Sequence, residues 1–408
     1  MDRHGFQQQL EIKDLEINAL LEITQAINNN VAEEALYKIF KFTALSNLKF
    51  SKLCLFVRDL NWSAKVNFGT NKDYSQVIPE KNFTELKRIQ RVSEITSSNS
   101  FTEFDLVIPI SHRGETISLL FVGKFNDQQT DTTSDERLEF LQALSNIMVV
   151  AIENRKLAKK EVEQEALRKE MEIASEVQHL LFPNQLPRSG KLILEASYLP
   201  HDRVGGDYYD FIPISEDRCA ICIADVSGKG VSAALLMANF QASLRSLVLQ
   251  NIDLEETVRQ LNSRLMTITR GERFITCFLA MINLSTNKIT YVNAGHNPPL
   301  LVEAAGKIQM LDIGSTILGA MTVLPFIRSG EVRLGETATL FCYTDGLTDT
   351  MNESGHEFGT QWITDYFRKS PSPNLNRLHQ DVIIALDQFK GKNPYRDDIT
   401  MLSCRINS

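Results

Sequence analysis

The residues in this sequence best suited to chemistry are four aspartates that stand beside glycines or at the ends of apolar runs. Asp207 lies in VGGDYYDF, Asp225 in ICIADVSGKG, Asp345 in TLFCYTDGLTD and Asp397 in RDDITMLSC. Strand ends position side chains well, and neighbouring glycines let a backbone carbonyl, a water or a substrate approach closely. A single Asp-Gly is as often a plain turn, but four acids beside apolar strands predict a shared site.

Carboxylates that converge on one place predict a bound cation. They repel one another strongly unless a multivalent ion neutralises them. The four acids offer oxygen ligands, which favours Mg²⁺ or Mn²⁺ over zinc. Two such ions could lower the pKa of a shared water and clamp the oxygens of a transferred phosphoryl group. The chemistry predicted from these residues is metal-assisted hydrolysis of a phosphate ester.

Other reactive side chains have structural explanations beside the chemical ones. His296 in NAGHNPP is a candidate general acid, or equally a turn residue whose imidazole satisfies backbone groups. Lys229 and Arg203 are candidates for holding a substrate phosphate, although loop cations are usually solvated. Cys219 and Cys222 form a CxxC within a predicted strand, where an odd offset sends the two thiols to opposite faces, so we expect core residues and no metal or redox site.

The bulk composition is that of a globular protein with more than one domain. A chain of 408 residues exceeds what one hydrophobic core usually serves, and 43% hydrophobic with 23% charged residues are ordinary values. A net charge of -8 gives no general attraction to nucleic acid or an anionic membrane. The polar opening segment does not resemble a secretory signal, and no apolar run reaches the roughly 20 residues of a membrane span. We therefore expect a cytoplasmic protein, with its cysteines reduced.

Periodicity divides the chain into two halves joined by a helix. Residues 11–46 predict two helices with a break at the three asparagines 28–30, and strands are predicted at 53–59, 105–111 and 116–125. A helical pattern without Pro or Gly then continues to Pro183. After residue 200 many short strands predict antiparallel sheets.

The segment between the halves is too polar for burial in a core. Its apolar positions at Met171, Ala174, Val177 and Leu181 recur every three or four residues. So narrow a stripe is typical of a two-stranded coiled coil, which predicts a homodimer. A solitary solvated helix is the alternative.

Both halves resemble known families. The order of helices, strands, a hairpin and a long exit helix over roughly residues 15–155 is similar to the GAF sensory domain. VGGDYYDF, ADVSGKG, NAGHNPP, YTDGLTD and RDDIT, in this order, resemble the bacterial SpoIIE-like (RsbU-like) serine phosphatases, a branch of the PPM or type 2C phosphatases, over roughly residues 172–406. This second resemblance implies an αββα sandwich with a site for two metal ions at one end.

The resemblances imply an α+β fold class and a domain plan. Residues 1–150 would be a GAF-like sensory or dimerisation domain, 151–182 a helical coiled-coil linker, and 183–408 a PPM-type serine phosphatase domain.

The phosphatase resemblance also implies roles for individual residues. Asp225 would bridge both ions, Mn²⁺ or Mg²⁺, with a further ligand from the Val226 backbone carbonyl. Asp207 would bind the first ion, and Asp345 with Asp397 the second. These acids would act through a water held by the metals, while the residues that surround them without binding directly would be Asp210, Asp398, His296 and Asp349.

The function implied is hydrolysis of phosphoserine or phosphothreonine on a regulatory partner protein, a STAS-domain anti-sigma-factor antagonist in this branch. The N-terminal domain would control the activity through a small-molecule or protein activator, or would serve only for dimerisation. The alternative is a catalytically silent signalling protein whose phosphatase-like domain docks partners. Loss of metal-binding acids would mark that alternative, and all four are present.

Overall fold

The computed structural model describes residues 3–48, 50–95, 100–123 and 131–407, and the chain divides into two units, residues 1–165 and 166–408. The elements of the first unit are α1 Arg3–Asn28, α2 Glu33–Phe42, a π-helix Thr43–Asn47, β1 Leu53–Arg58, β2 Trp62–Phe68, α3 Lys81–Thr84, β3 Gln90–Arg91, α4 Val92–Ile95, β4 Leu106–His112, β5 Glu115–Val122 and α5 Asp131–His179, which continues into the second unit. The predicted helices and strands of this half are confirmed, although residues 124–125 of one predicted strand lie outside the described residues.

The sheet of the first unit has two faces with different partners. Among the described residues its strands are antiparallel and follow the order β2-β1-β5-β4-β3. Alternate residues of β1, such as Leu55 and Val57, pack with α1, α2 and α5. The other alternate residues, such as Phe56, join an aromatic cluster in which the rings of Phe101 and Phe121 stack 4.4 Å apart. That face is therefore filled by the protein's own side chains.

The second unit contains both strands and helices. Its elements are β6 Arg188–Ser189, β7 Leu192–Leu199, β8 Tyr208–Pro213, β9 Arg218–Val226, α6 Val231–Val248, α7 Leu254–Thr269, β10 Ile275–Asn283, β11 Lys288–Ala294, β12 Leu300–Glu303, β13 Ile308–Met310, β14 Gly314–Ser315, β15 Gly330–Arg333, β16 Thr337–Tyr343, α8 Asp345–Thr348, α9 Gln361–Lys369, α10 Leu375–Lys390 and β17 Ile399–Asn407.

Two six-stranded sheets run through residues 166–407, all of which are described. The first has the order β14-β11-β10-β9-β8 with β15 also on β11, and the second has the order β13-β12-β16-β17-β7-β6. Every pairing is antiparallel except that of β11 with β14.

Three hydrophobic clusters show how these elements pack. One joins α6 and α7 to the first sheet, and another joins α9 and α10 to the second. The third, called here the inter-sheet core, contains only residues of the two sheets and their connections, including Ile221 and Ile223 of β9 and Leu402 of β17. The mixed α/β class and the antiparallel sheets are thereby confirmed.

The six cysteines and one apolar helix are explained by their places in the hydrophobic clusters. All six cysteines are free and buried. Cys219 lies in the inter-sheet core and Cys222 in the cluster with α6, as the odd strand offset predicts. Among the described residues, one helix, Val231–Val248, is long and apolar enough by length and composition to cross a membrane. Its buried side chains, from Ala233 to Val248, pack on the first sheet.

Helix α5 runs through most of the predicted linker, whose coiled-coil pairing stays a prediction. The helix is continuous over 49 residues, as the absence of Pro and Gly predicts. Of the positions assigned to a coiled-coil stripe, Leu181 packs against the core of its own unit, whereas Val177 is 56% exposed. The exposed apolar side chains of α5 include Val162 and Ile173, at 70% and 61% exposure, together with Val177. Val162, Ile173 and Val177 are 11 and 4 residues apart, so they share one side of the helix.

Candidate active site

Strand alternation brings acids of the first sheet to the inter-sheet side. On β9, Ile221 and Ile223 face the inter-sheet core, so Asp225 two residues further lies on the same face at the strand end. On β8, Phe211 packs against that core and Asp207 shares its parity. Because β8 and β9 are antiparallel, the start of one strand lies beside the end of the other. Asp207 and Asp225 therefore stand at one end of the sheet.

Two threonines tie Asp207 to the opposite sheet. Its Oδ2 accepts hydrogen bonds from Thr344 Oγ1 at 2.8 Å and from Thr400 Oγ1 at 2.5 Å. Thr344 and Thr400 also pair through the backbone where β16 ends and β17 begins. Sequence reasoning missed these hydroxyls, although both stand inside the motifs YTDG and RDDIT that carry the acids.

The acids raise one another's pKa. Burial raises the pKa of Asp225 to about 7, and the negative charges of Asp345 and Asp397 add to the shift. Burial and the charge of Asp225 raise the pKa of Asp207 well above its usual value, against the two threonine hydroxyls, which lower it. For Asp345, burial raises the pKa first and the charges of Asp349 and Asp397 follow. The four sequence-predicted acids, with Asp349, thus share one electrostatic environment.

Asp397 is the acid at the rim. It is about half exposed, and its Oδ2 lies 3.0 Å from Lys229 Nζ, which also donates to the backbone carbonyl of Arg396. Lys229 is therefore next to the acids, as a phosphate-binding residue would have to be. Arg203, the other cation considered, pairs instead with Glu172 of α5.

Asp398 accepts backbone hydrogen bonds from the loop that leads into Asp207. Its Oδ1 accepts from the His201 backbone N–H and its Oδ2 from that of Gly206, both at 2.8 Å. A Cβ added to Gly206 would lie 2.7 Å from the carbonyl oxygen of Val226, so the loop passes directly against the predicted backbone ligand. Asp398 therefore orders the segment before Asp207 and is not free to act as a ligand with both oxygens.

Asp210 faces the helices. It shares the parity of Tyr208 and Ile212, which pack with α6, and it is fully buried. Arg245 of α6 donates to its two carboxylate oxygens from Nε and Nη2, each at 2.8 Å, and the Tyr208 hydroxyl also donates to it. The structure therefore gives Asp210 a packing role on the side of the sheet away from Asp207.

His296 is buried beside the site. Its Nδ1 lies 2.9 Å from Thr276 Oγ1, and its backbone N–H donates to Asn293 Oδ1 at 2.8 Å. Thr276 is the direct cross-strand neighbour of Asp225. Burial lowers the pKa of His296 to about 4, although the Tyr343 backbone opposes the shift. The imidazole is therefore neutral near pH 7, which favours the structural explanation over a general acid.

The residues present suit a hard divalent cation. Asp207, Asp225, Asp345 and Asp397 with the Val226 carbonyl offer only oxygen, and the raised pKa values show carboxylates that lack a neutralising charge. Within the described ranges, no three His, Cys, Asp or Glu side chains lie close enough together to hold an ion. The metal assignment therefore stays a prediction.

Residues 215–407 match the family described as Stage II sporulation protein E (SpoIIE). We call this segment, which resembles that family, the SpoIIE-type domain. The solved SiaA-PP2C domain of Pseudomonas aeruginosa resembles the chain with a TM-score of 0.53 at 22% identity, and the match covers 60% of this chain and 98% of that domain. This likeness supports the type 2C fold for the SpoIIE-type domain.

Two curated relatives of the SpoIIE-type domain come from Bacillus subtilis (strain 168). The phosphoserine phosphatase RsbU is 26% identical over 245 residues, which are 59% of this chain and 71% of RsbU. The phosphoserine phosphatase RsbP is 25% identical over 235 residues, 57% of this chain and 56% of RsbP. The match therefore spans little more than half the length of RsbP.

The pKa of Asp225 gives a pH prediction for the metal-free protein. Its carboxyl holds its proton more tightly in the folded state than in the unfolded state, so folding stability is lost as pH rises from about 4 to about 7. Asp225→Asn removes that loss and should stabilise the chelator-treated protein by about 1–3 kcal/mol at pH 8, with much less gain at pH 5. Melting curves at both pH values, with exposed Asp217→Asn as control, check this. An equal gain at the two pH values would contradict it.

His296→Gln should cost stability more than activity. It disturbs the bond to Thr276, and a buried polar group left unpaired costs about 1–3 kcal/mol. We expect a lower melting temperature with p-nitrophenyl phosphate turnover per folded molecule within about threefold. The control is His379→Gln, since His379 is also buried and bonds Ser197 and Ser403. A hundredfold loss of turnover at an unchanged melting temperature would make His296 catalytic.

Proposed function

We propose that this chain is a metal-dependent phosphoprotein phosphatase that hydrolyses phosphoserine or phosphothreonine. The observation that supports it best is the meeting of Asp207, Asp225, Asp345 and Asp397 at one end of the two sheets with pKa values of three of them raised by burial and mutual repulsion. Strongly perturbed carboxyls in one place are typical of functional sites. The names of RsbU and RsbP support the same reaction class.

The proposed ligands come from the phosphatase resemblance. Asp225 would serve both ions, with the Val226 carbonyl as a further ligand, while Asp207 would hold the first ion and Asp345 with Asp397 the second. Mn²⁺ or Mg²⁺ fits this oxygen set. When bound, a pair of such ions supplies an activated water and a clamp for phosphoryl oxygens.

The chain's own groups would prepare the site. Thr344 and Thr400 fix one oxygen of Asp207 and leave the other available. Lys229 lies within 3.0 Å of Asp397 and would attract the substrate phosphate as a point charge. His296, neutral and buried, would hold Thr276 beside Asp225 without exchanging a proton.

The order of the hydrophobic clusters supports the αββα sandwich for the second unit, because helices cover the outer face of each sheet and the inter-sheet core lies between them. For the first unit we propose a GAF-like sensory domain. Its sheet face away from α1, α2 and α5 is filled by Phe56, Tyr74, Phe101 and Phe121. A protein activator or dimerisation therefore suits this unit better than a small molecule bound against that face.

For the substrate we propose a phosphorylated regulatory protein of the STAS-domain anti-sigma-factor antagonist class. The support is the resemblance of the whole motif set to the SpoIIE-like branch, together with the match to the SpoIIE family over residues 215–407. The exposed rim formed by Asp397 and Lys229 would admit a phosphoserine carried on a folded protein.

Activity should depend on Mn²⁺ or Mg²⁺ and on Asp225. We expect hydrolysis of p-nitrophenyl phosphate with Mn²⁺, its loss with chelator, and a fall of at least about a hundredfold in Asp225→Asn, because the proposed bridging ligand is gone. Exposed Asp217→Asn, in the β8–β9 turn, is the control. Near wild-type turnover of Asp225→Asn at limiting Mn²⁺ would refute the assignment.

Absence of metal-dependent turnover with both p-nitrophenyl phosphate and a phosphoserine protein would favour the other function considered, a catalytically silent docking domain. If such a protein still binds Mn²⁺, the reaction is lost but the metal site is kept. If it does not bind Mn²⁺, the site itself is lost.

Helix α5 is the proposed dimeric coupling element. The exposed apolar side chains Val162, Ile173 and Val177 would pack against the same helix of a second copy. Inserting two residues after Lys160 rotates the downstream helix by about 200° and should change basal activity severalfold. Inserting seven residues nearly restores the phase and is the control. Light scattering should report a dimer, and a monomer whose activity ignores both insertions would contradict the proposal.

A further inference from the structure

The last turn of α5 contacts the loop that leads into Asp207. Gln178 is 6% exposed, and its Nε2 donates to the carbonyl oxygen of Gly205 at 2.7 Å. Its Oε1 accepts from the Gly205 backbone N–H at 3.2 Å. One side-chain amide therefore satisfies both backbone groups of Gly205, which lies two residues before Asp207.

The two glycines of this loop have no spare room. A Cβ on Gly205 would lie 2.0 Å from Asp398 Oδ2, and one on Gly206 would lie 2.7 Å from the Val226 carbonyl oxygen. Asp398 additionally bonds the Gly206 N–H. The loop is thus fixed by Gln178, by Asp398 and by close contact with the proposed backbone ligand, so a shift at Gly205 must move its neighbours.

Anchoring the helix alone would not require an amide. Glutamine is usually exposed, and Leu181 and Phe182 already attach this chain segment to the core of the second unit through apolar contacts. The exposed pair of Glu172 with Arg203 contributes little stability. What Gln178 adds to these contacts is two hydrogen bonds aimed at Gly205.

We propose that Gln178 is a positioning residue for the metal site: it sets the Gly205–Gly206 segment so that Asp207 and the Val226 carbonyl are held where an ion can use both. This inference rests on the proposed metal-dependent function. Groups that orient metal ligands typically change metal affinity or activity by 10–100-fold when mutated. Because Gln178 bonds the loop and none of the acids, we expect its substitution to change metal affinity.

The test compares two glutamines. Gln178→Met removes both hydrogen bonds and keeps an unbranched side chain of similar length. Gln241→Met is the matched control, since Gln241 Nε2 donates to the Leu181 carbonyl at 3.3 Å, close to the same helix end, and makes no described bond to the 201–206 loop. Mn²⁺ binding to the metal-stripped full-length chain is measured by calorimetry, and the Mn²⁺ dependence of p-nitrophenyl phosphate turnover is measured beside it.

We expect Gln178→Met to raise the Mn²⁺ dissociation constant about tenfold or more, with turnover recovering to within about threefold at saturating Mn²⁺, while Gln241→Met stays near wild type. Should Gln178→Met fail to fold, Gln178→Asn keeps the amide but is one methylene too short, and the same weakening is expected. A dissociation constant within twofold of wild type, or an equal loss in Gln241→Met, would overturn the inference. A wild-type chain that binds Mn²⁺ without turnover would defeat the proposed phosphatase alone, since the binding comparison still decides the role of Gln178.

Discussion

Repulsion between the carboxylates that meet at one end of the two sheets is the interaction on which the second unit depends. Burial removes the water that would otherwise screen these charges, and each acid then makes its neighbours harder to ionise. Fixed donors oppose part of this cost, as the hydroxyls of Thr344 and Thr400 do for Asp207. A fold that keeps such an arrangement gives up part of its stability, as is typical of functional sites.

Much of this site could be predicted from the sequence because strand alternation is a strict rule. Apolar runs ending in Asp225 and Asp345 identify strand tips, and the parity of β8 separates Asp207 from Asp210 once the inward residues are known. The sequence does not say which face of a strand is inward. For that reason Asp210 could be placed near the site from its motif, whereas in the structure it pairs with Arg245 on the helical side.

Contacts between segments far apart in the chain were harder to predict. Gln178 and Gly205 are 27 residues apart, and nothing in the helical pattern of α5 distinguishes a glutamine that bonds a loop from a solvated one. The same limit applies to the linker stripe. Spacing at Met171, Ala174 and Leu181 shows that one side of the helix is apolar, but not that Leu181 packs on its own unit. In the first unit, nothing in the sequence pattern shows that aromatic side chains fill one face of the sheet.

The ion pair of Asp397 and Lys229 lies at the rim, where each side chain is 49% exposed. Dissolved salt screens such a pair, with a Debye length of about 8 Å at physiological ionic strength. Higher ionic strength weakens the attraction between Lys229 and Asp397, and also the long-range attraction of the acids for cations. The deeper bonds of Asp207 are shielded from this influence. The exposed ion pair therefore responds to the ionic strength of the medium, whereas the buried hydrogen bonds of Asp207 do not.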